Sequence, residues 1–139
     1  MEEHRYYLHA GSLFVHPVPH VVTTVLGSCV SVCLWDEAAA LGGINHYQLS
    51  LWNGEGLASP KYGNVAIPKL VEKMLRYGGT VEGMKAKVFG GAAVLGHHRN
   101  GLRIGENNCR IALEMLREYS IPVIARDVGG EYGRKLRFH

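Results

Sequence analysis

The segment that most constrains the fold alternates short apolar runs with glycine turns over residues 23–46. Two runs, at residues 21–26 and 30–35, are rich in valine and threonine and predict buried strands separated by a Gly-Ser turn. A second glycine turn precedes a third strand over residues 43–49, which carries His46. Three closely spaced strands before any helical pattern exclude a simple alternation of strand and helix.

Two later segments have the spacing of amphipathic helices. Apolar residues recur at helical intervals over residues 64–77, and again from residues 105–107 to residue 119. Residues 5–16 are expected to form two short strands or a hairpin, and further strands are expected over residues 85–91, 121–125 and 135–138. This pattern predicts one α+β domain over residues 1–139, in which mixed β-sheet layers carry two main helices packed on one face.

Composition and charge exclude several kinds of protein. A chain of 139 residues with 47% hydrophobic and 19% charged residues has the size and composition of one soluble globular domain. The net charge is only +3, so a surface that binds nucleic acid is not expected. No apolar run approaches the roughly 20 residues of a membrane-spanning helix, and the N-terminal residues lack the apolar core of a signal peptide. We therefore expect a cytoplasmic protein without membrane insertion.

A thiol beside a glycine turn, followed by a histidine, is the pattern of a nucleophile and its base. Cys29 follows the turn Gly27-Ser28, and His46 lies 17 positions later on a predicted neighbouring strand. The thiolate is the attacking form of cysteine, and a histidine within hydrogen-bond reach can take the thiol proton. The backbone N–H groups of residues 28 and 29 converge at the turn, where they could stabilise an oxyanion.

A third polar group should orient the imidazole ring, and two adjacent threonines are candidates for this role. Thr23 and Thr24 lie on the strand before the turn. One of their side chains must face the site while the other faces away. Strand alternation alone does not choose between them.

The other cysteines and histidines are weaker candidates. Cys33 shares a strand face with the candidate nucleophile but lies deeper in an apolar run, and Cys109 falls in the predicted first turn of a helix, where the helix dipole lowers a thiol pKa. His97 and His98 compete for the role of base. Three cysteines without CxxC spacing, and histidines without HxxxH or HExxH spacing, indicate neither a disulfide framework nor a metal site.

Three further residues are candidates for a substrate or partner surface. Trp52 lies in a long, glycine-rich polar loop, where it either caps the core or contacts a partner protein. Arg134 follows a glycine turn and could contact an acidic partner, and Asn45 immediately precedes the candidate base.

Seven motifs in a fixed order cover nearly the whole chain. They are LGSCVSVCL at residues 26–34, GGINH at 42–46, KYGN at 61–64, KVFGGA at 87–92, IGENN at 104–108, DVGG at 127–130 and GRK at 133–135. Together they resemble the CheD family, the chemoreceptor glutamine deamidases of bacterial and archaeal chemotaxis. A resemblance of this extent is far more specific than any single motif.

The resemblance implies a fold similar to the deamidase domain of cytotoxic necrotizing factor toxins and a triad of Cys29, His46 and Thr23. It implies hydrolysis of specific chemoreceptor glutamines to glutamate and ammonia, without a cofactor or a metal. The implied partners are the cytoplasmic helices of chemoreceptors and a CheC-type phosphatase, and the implied location is the cytoplasm at receptor arrays. Some members of the family are also described as receptor methylesterases.

Two other functions are compatible with the same residues. In the first, the chain is a binding module that recognises a receptor helix or a CheC-type phosphatase without turnover. In the second, the same triad serves an amidase or transglutaminase-like activity on small molecules. Only the detection of a reaction product separates these functions from protein deamidation.

Overall fold

The described part of the chain forms eight strands and two helices. A computed structural model describes residues 3–93 and 99–139, without the side chains of residues 99–102. The elements are β1 (Arg5–Tyr7), β2 (Leu13–His16), β3 (Val21–Leu26), β4 (Val30–Asp36), β5 (Leu41–Asn45), α1 (Gly63–Arg76), β6 (Met84–Gly90), α2 (Arg99–Glu118), β7 (Val123–Val128) and β8 (Arg134–Phe138). Neither of these helices combines the length and the apolarity that crossing a bilayer requires.

Two sheets and a helical layer make up the domain. The five-stranded sheet has the order β2-β5-β4-β6-β7, and the three-stranded sheet has the order β1-β3-β8. Both sheets are mixed, because β6 pairs with β7 and β1 pairs with β3 in parallel, whereas the other pairs are antiparallel. The predicted α+β class with mixed sheet layers is confirmed.

The five-stranded sheet buries both of its faces, and successive residues of β4 show this directly. Val30, Val32 and Leu34 belong to the cluster that packs against both helices. Cys33 belongs to a second cluster, which includes residues of the three-stranded sheet. Since neighbouring side chains of a strand point to opposite faces, the helices cover one face of the sheet and the three-stranded sheet covers the other.

The first strands do not form the hairpin that their sequence suggests. Of the two alternatives over residues 5–16, the two short strands are confirmed and the hairpin is wrong, because β1 pairs with β3 whereas β2 pairs with β5 in the other sheet. The strands β3 and β4 on either side of the Gly-Ser turn also belong to different sheets. The alternation of apolar residues marks strands in both sheets alike, so it does not reveal where the chain passes from one sheet to the other.

The two helices follow their predicted patterns, but α2 begins earlier than expected. The observed bounds of α1, Gly63–Arg76, agree closely with the prediction, whereas α2 starts at Arg99 rather than near residue 105. Gly105 suggested a helix start, yet it lies inside the helix, where a Cβ atom would overlap the carbonyl oxygen of Gly91. Cys109 is therefore in the middle of α2, and the expected influence of the helix N-terminus on its thiol does not apply.

Candidate active site

Three backbone carbonyl groups in the turn that carries Cys29 accept hydrogen bonds from other parts of the fold. The carbonyl of Gly27 accepts a hydrogen bond from the Ala92 N–H at 2.9 Å, and that of Cys29 accepts one from the Gly91 N–H at 2.8 Å. The carbonyl of Ser28, between them, accepts from a side-chain amide at 3.0 Å. Neither the Ser28 nor the Cys29 N–H donates to a backbone carbonyl among the described residues. The turn thus directs its carbonyls into the fold and leaves two N–H groups for a ligand, as an oxyanion site requires.

His46 lies on the same face of the five-stranded sheet as Cys29. Val30 and Tyr47 form an antiparallel bridge, and both side chains pack in the cluster on the helical side. The residues before them in the chain, Cys29 and His46, therefore face the three-stranded sheet. In this register they are diagonal neighbours on adjacent strands, which places their Cα atoms about 7–8 Å apart. No hydrogen bond joins the two side chains in the described structure.

The hydroxyl of Thr24 orients the imidazole of His46. The Thr24 Oγ1 atom lies 2.7 Å from the His46 Nδ1 atom and 2.8 Å from the carbonyl oxygen of Leu8. A carbonyl only accepts, so the single hydroxyl proton of Thr24 is donated to Leu8, and Oγ1 must accept from His46. Nδ1 of the neutral ring therefore carries the proton, and Nε2 has the free lone pair that a general base needs.

Thr23, which the family resemblance assigned to this role, faces the opposite side of its strand. Val22 and Leu26 are buried on the same side as Thr24, whereas Thr23 is half-buried on the side of the exposed Val25. The described structure contains no hydrogen bond between Thr23 and His46. Among the two adjacent threonines left open by the sequence, the geometry selects Thr24.

Burial changes the proton affinities of both candidate catalytic side chains. It raises the pKa of the Cys29 thiol, and the backbone N–H of Cys29 itself opposes part of that rise. It also lowers the pKa of His46 below its ordinary value of 6.5. Both shifts favour a neutral thiol beside a neutral imidazole at pH 7. The resting site therefore holds a base that is ready to accept a proton rather than a preformed ion pair.

The other two thiols are poorly suited to nucleophilic chemistry. Cys33 is buried in the cluster between the two sheets, and burial raises its pKa strongly. Cys109 is half-buried on α2, where burial also raises its pKa and its sulfur lies 3.8 Å from the Gly90 carbonyl oxygen. Cys33 pairs with Ile44, two positions before His46, so its burial rather than its distance from the imidazole argues against it as the nucleophile.

The three predicted surface residues have different environments. Asn45 is fully buried and its Oδ1 accepts from the Val32 N–H at 2.8 Å, so its prediction as a surface residue is wrong. Arg134 is half-buried and donates to Asp127 and to the carbonyl groups of the neighbouring glycine turns, so its hydrogen bonds stabilise these turns within the fold. Trp52 is half-buried in its loop and donates its indole N–H to the Glu55 carbonyl at 2.9 Å.

Two of the competing histidines, His97 and His98, lie outside the described residues. The sequence also left two contributors to the site unnoticed. Leu8 acts through its carbonyl group, which every residue type carries, so no sequence signal could mark it. Asn108 lies in α2, is fully buried and donates to the Ser28 carbonyl of the nucleophile turn, a contact between distant parts of the chain that no local pattern marks.

Comparisons with known proteins identify the family of the chain. A family model described as CheD chemotactic sensory transduction matches residues 50–139. The chain is 50% identical over 137 residues to the probable chemoreceptor glutamine deamidase CheD of Sulfurimonas denitrificans, covering 98% of this chain and 88% of that protein. It is 48% identical over 132 residues to the protein of the same name from Trichlorobacter lovleyi, covering 95% of this chain and 82% of the relative.

A solved structure shares the fold at low sequence identity. The crystal structure of Bacillus licheniformis hypothetical protein YfiH has a TM-score of 0.55 and 14% identity, and the likeness covers 83% of this chain and 49% of that one. At this identity the likeness concerns the fold alone. The relatives, by contrast, are about half identical over nearly the whole chain, including the segment with the thiol and the imidazole. On these similarities the chain belongs to the CheD family.

Proposed function

We propose that this protein deamidates specific glutamine side chains of chemoreceptors, with Cys29 as nucleophile and His46 as general base. The observation that carries the proposal is the hydrogen bond between Thr24 and His46, which leaves Nε2 unprotonated on the sheet face that Cys29 shares. The names of the relatives supply the substrate class, since both are called probable chemoreceptor glutamine deamidases. The proposed site needs neither a cofactor nor a metal for hydrolysis of an amide.

The first half of the reaction forms a thioester. Nε2 of His46 takes the proton of Cys29 as the sulfur attacks the carboxamide carbon, and the carbonyl oxygen becomes an oxyanion. The N–H groups of Ser28 and Cys29 stabilise that charge. The C–N bond then breaks while His46 returns its proton to the nitrogen, so ammonia leaves. Contacts between catalytic groups commonly tighten only when substrate binds, which is consistent with a separated thiol and imidazole in the unliganded chain.

The second half of the reaction restores the enzyme. His46 takes a proton from water as the water oxygen attacks the thioester carbon. The C–S bond breaks, the sulfur regains a proton from His46, and the substrate side chain is released as glutamate. The sum is one amide and one water converted into one carboxylic acid and one ammonia.

A second candidate function, recognition of a partner without turnover, is favoured by one surface feature. The loop between β5 and α1 exposes Leu51 and Leu57 by 62% and 94% of their surface. Its backbone is nevertheless held, because Asn64 accepts from the Trp52 N–H at 2.8 Å. Exposed apolar side chains on an ordered loop suit contact with a receptor helix or a CheC-type phosphatase. Either partner would bring this protein to receptor arrays.

Incubation with a purified chemoreceptor cytoplasmic fragment tests the two functions against each other. Peptide mapping by mass spectrometry should find the mass increase of amide-to-acid conversion at particular glutamines with the native chain. Cys29→Ala should abolish that conversion, whereas the matched variant Cys33→Ala should retain it if it folds. Conversion that persists in Cys29→Ala would refute the proposed nucleophile. Binding of the fragment without any conversion would favour the recognition function instead.

A further inference from the structure

Asn108 donates hydrogen bonds to two segments of the candidate site, the turn that carries Cys29 and the segment that follows His46. This residue of α2 is fully buried, and its Nδ2 atom donates to the carbonyl oxygens of Ser28 at 3.0 Å and Gln48 at 2.9 Å. Ser28 immediately precedes Cys29, and Gln48 lies two positions after His46. An amide nitrogen has two N–H groups, so both are used to join the nucleophile turn to the strand that carries the base.

On the basis of the proposed function, we infer that Asn108 is a positioning residue that aims the backbone N–H of Cys29 into the active site. The carbonyl of Ser28 and the N–H of Cys29 belong to one planar peptide unit. No cis peptide bond occurs among the described residues, so these two groups point in opposite directions. When Asn108 holds the carbonyl towards α2, the N–H is directed away from the helix.

The environment of the Cys29 N–H agrees with this orientation. The Cys29 N–H opposes part of the rise in the pKa of its own thiol, and it donates to no backbone carbonyl among the described residues. One peptide group can therefore assist the thiolate before attack and the oxyanion after attack. Asn108 acts on both steps without contacting the substrate.

Packing alone does not account for an asparagine at this position. The Oδ1 atom of Asn108 is buried and accepts no hydrogen bond in the part of the chain that the structure describes. A buried acceptor without a partner destabilises a fold, and a leucine of similar shape would avoid that effect. A leucine has no N–H group in its side chain, so it could not donate to the carbonyls of Ser28 and Gln48 as Asn108 does.

The test compares Asn108→Leu with Tyr47→Phe. The hydroxyl of Tyr47 donates to the backbone carbonyl of Asn108, so Tyr47→Phe removes a buried hydrogen bond at the same residue but leaves the side-chain amide in place. Three quantities are measured on each folded variant: kcat, KM, and the rate of Cys29 alkylation by iodoacetamide as a function of pH, with the alkylated residue identified by peptide mapping.

For Asn108→Leu we expect kcat to fall about tenfold or more, since an oxyanion donor contributes up to ~10²–10³ in rate. KM should stay within about twofold, because Asn108 does not contact substrate, and alkylation of Cys29 should slow at a given pH. Tyr47→Phe should leave all three quantities near their native values. Equal effects of the two variants on kcat and alkylation would overturn the inference, because a merely structural role predicts equality.

Two further controls keep the result decisive. If Asn108→Leu does not fold, Asn108→Ser replaces it, because one short hydroxyl group cannot donate to both carbonyl groups. The same losses of kcat and of alkylation rate in Asn108→Ser would support the inference, and native values of both would overturn it. Alkylation needs no receptor substrate. A native chain that fails to deamidate would therefore refute the proposed function, while the alkylation comparison would still decide the role of Asn108.

Discussion

The imidazole of His46 is oriented by a neutral hydroxyl rather than by a carboxylate. Thr24 can take this role because its own proton is committed to the Leu8 carbonyl, which makes its oxygen an acceptor for the ring. A hydroxyl stabilises the imidazolium formed during catalysis less than a negative charge would. We therefore expect slow turnover.

The first prediction concerns Thr24→Val, which keeps the branched shape and removes the hydroxyl. Loss of the hydrogen bond to Thr24 reduces the stabilisation of the His46 imidazolium by ~1.5–3 kcal/mol. The value of kcat/KM in receptor deamidation assays should therefore fall about 10- to 100-fold. Thr24→Ser should recover much of the activity.

Thr23→Val is the matched control for that substitution. Its side chain lies on the opposite face of the same strand and makes no hydrogen bond to His46 in the described structure, so kcat/KM should remain close to the native value. A large loss in Thr23→Val together with native activity in Thr24→Val would show that the resemblance, and not the observed hydrogen bond, identifies the third member of the site.

The second prediction concerns the pH at which kcat/KM declines on the acid side of its pH profile. His46 must be neutral to accept a proton, and burial lowers its pKa below 6.5. As pH falls, the ring protonates only below that value, so kcat/KM should persist through pH 6.5 and decline at lower pH. Measurement of kcat/KM against pH checks this sign. An acid midpoint above 6.5 would instead indicate a preformed thiolate–imidazolium pair.

At the scale of elements, α2 lies unusually close to the end of β6. A Cβ atom at Gly105 would overlap the carbonyl oxygen of Gly91 and would lie 2.8 Å from that of Ala92. These are the residues whose N–H groups hold the nucleophile turn. The glycine in α2 thus allows the helix to support the turn both through this close packing and through Asn108.

The third prediction is that Gly105→Ala destabilises the protein, although alanine is normally the better helix former. Overpacking against backbone atoms costs about 1–3 kcal/mol, more than the ~1 kcal/mol that alanine gains over glycine in a helix. Asn107→Ala, at an exposed position of the same helix, should leave stability unchanged or slightly raised. Denaturant unfolding measures both, and a Gly105→Ala variant more stable than the native chain would contradict the close approach.

Much of the element order could be predicted from the sequence, and the exceptions have physical causes. The bounds of α1 follow from an apolar stripe at helical spacing, which is a local signal. The start of α2 could not be predicted in this way. A glycine such as Gly105 is compatible both with a helix end and with a close tertiary contact, and only the three-dimensional structure distinguishes the two. Residues 5–16 could likewise be predicted as strands but not assigned to a hairpin or to separate sheets, since strand patterns contain no information about which sheet a strand joins.

At the scale of the whole molecule, the five-stranded sheet separates two cores of different size. The larger core lies between the sheet and the helices, and the smaller one lies between the two sheets around Leu8, Val22, Cys33 and Ile44. His46 and Thr24 meet across the smaller core, one from each sheet. The geometry of the site therefore depends on how the two sheets pack together.

The fourth prediction compares one leucine from each core. Leu8 and Leu70 are both fully buried, and replacement of either by alanine should lower the free energy of unfolding by about 2–5 kcal/mol. Only Leu8→Ala should also lower kcat per folded molecule, because it loosens the packing between the sheets that carry His46 and Thr24. Calorimetry with deamidation assays below the transition checks this. Equal kcat losses in both variants would contradict a site placed between the sheets.

The candidate site could be predicted from the sequence in part. Residue chemistry and turn position make Cys29 and His46 candidates, the family resemblance selects them from their competitors, and strand pairing places them on one face. The choice between Thr23 and Thr24 depends on which side of β3 faces the other sheet. The roles of Leu8 and Asn108 depend on tertiary contacts over long separations in the chain, which local patterns do not encode.

The most direct measurement of the central claim is to trap the thioester during turnover. The native chain is mixed with a receptor fragment, quenched in acid within the first turnovers, digested and mapped by mass spectrometry. The account predicts a receptor glutamine side chain linked as an acyl group to Cys29, formed with loss of ammonia and absent from the His46→Ala variant. Deamidated product that accumulates without any acyl group on Cys29, or with one on another residue, would contradict the account.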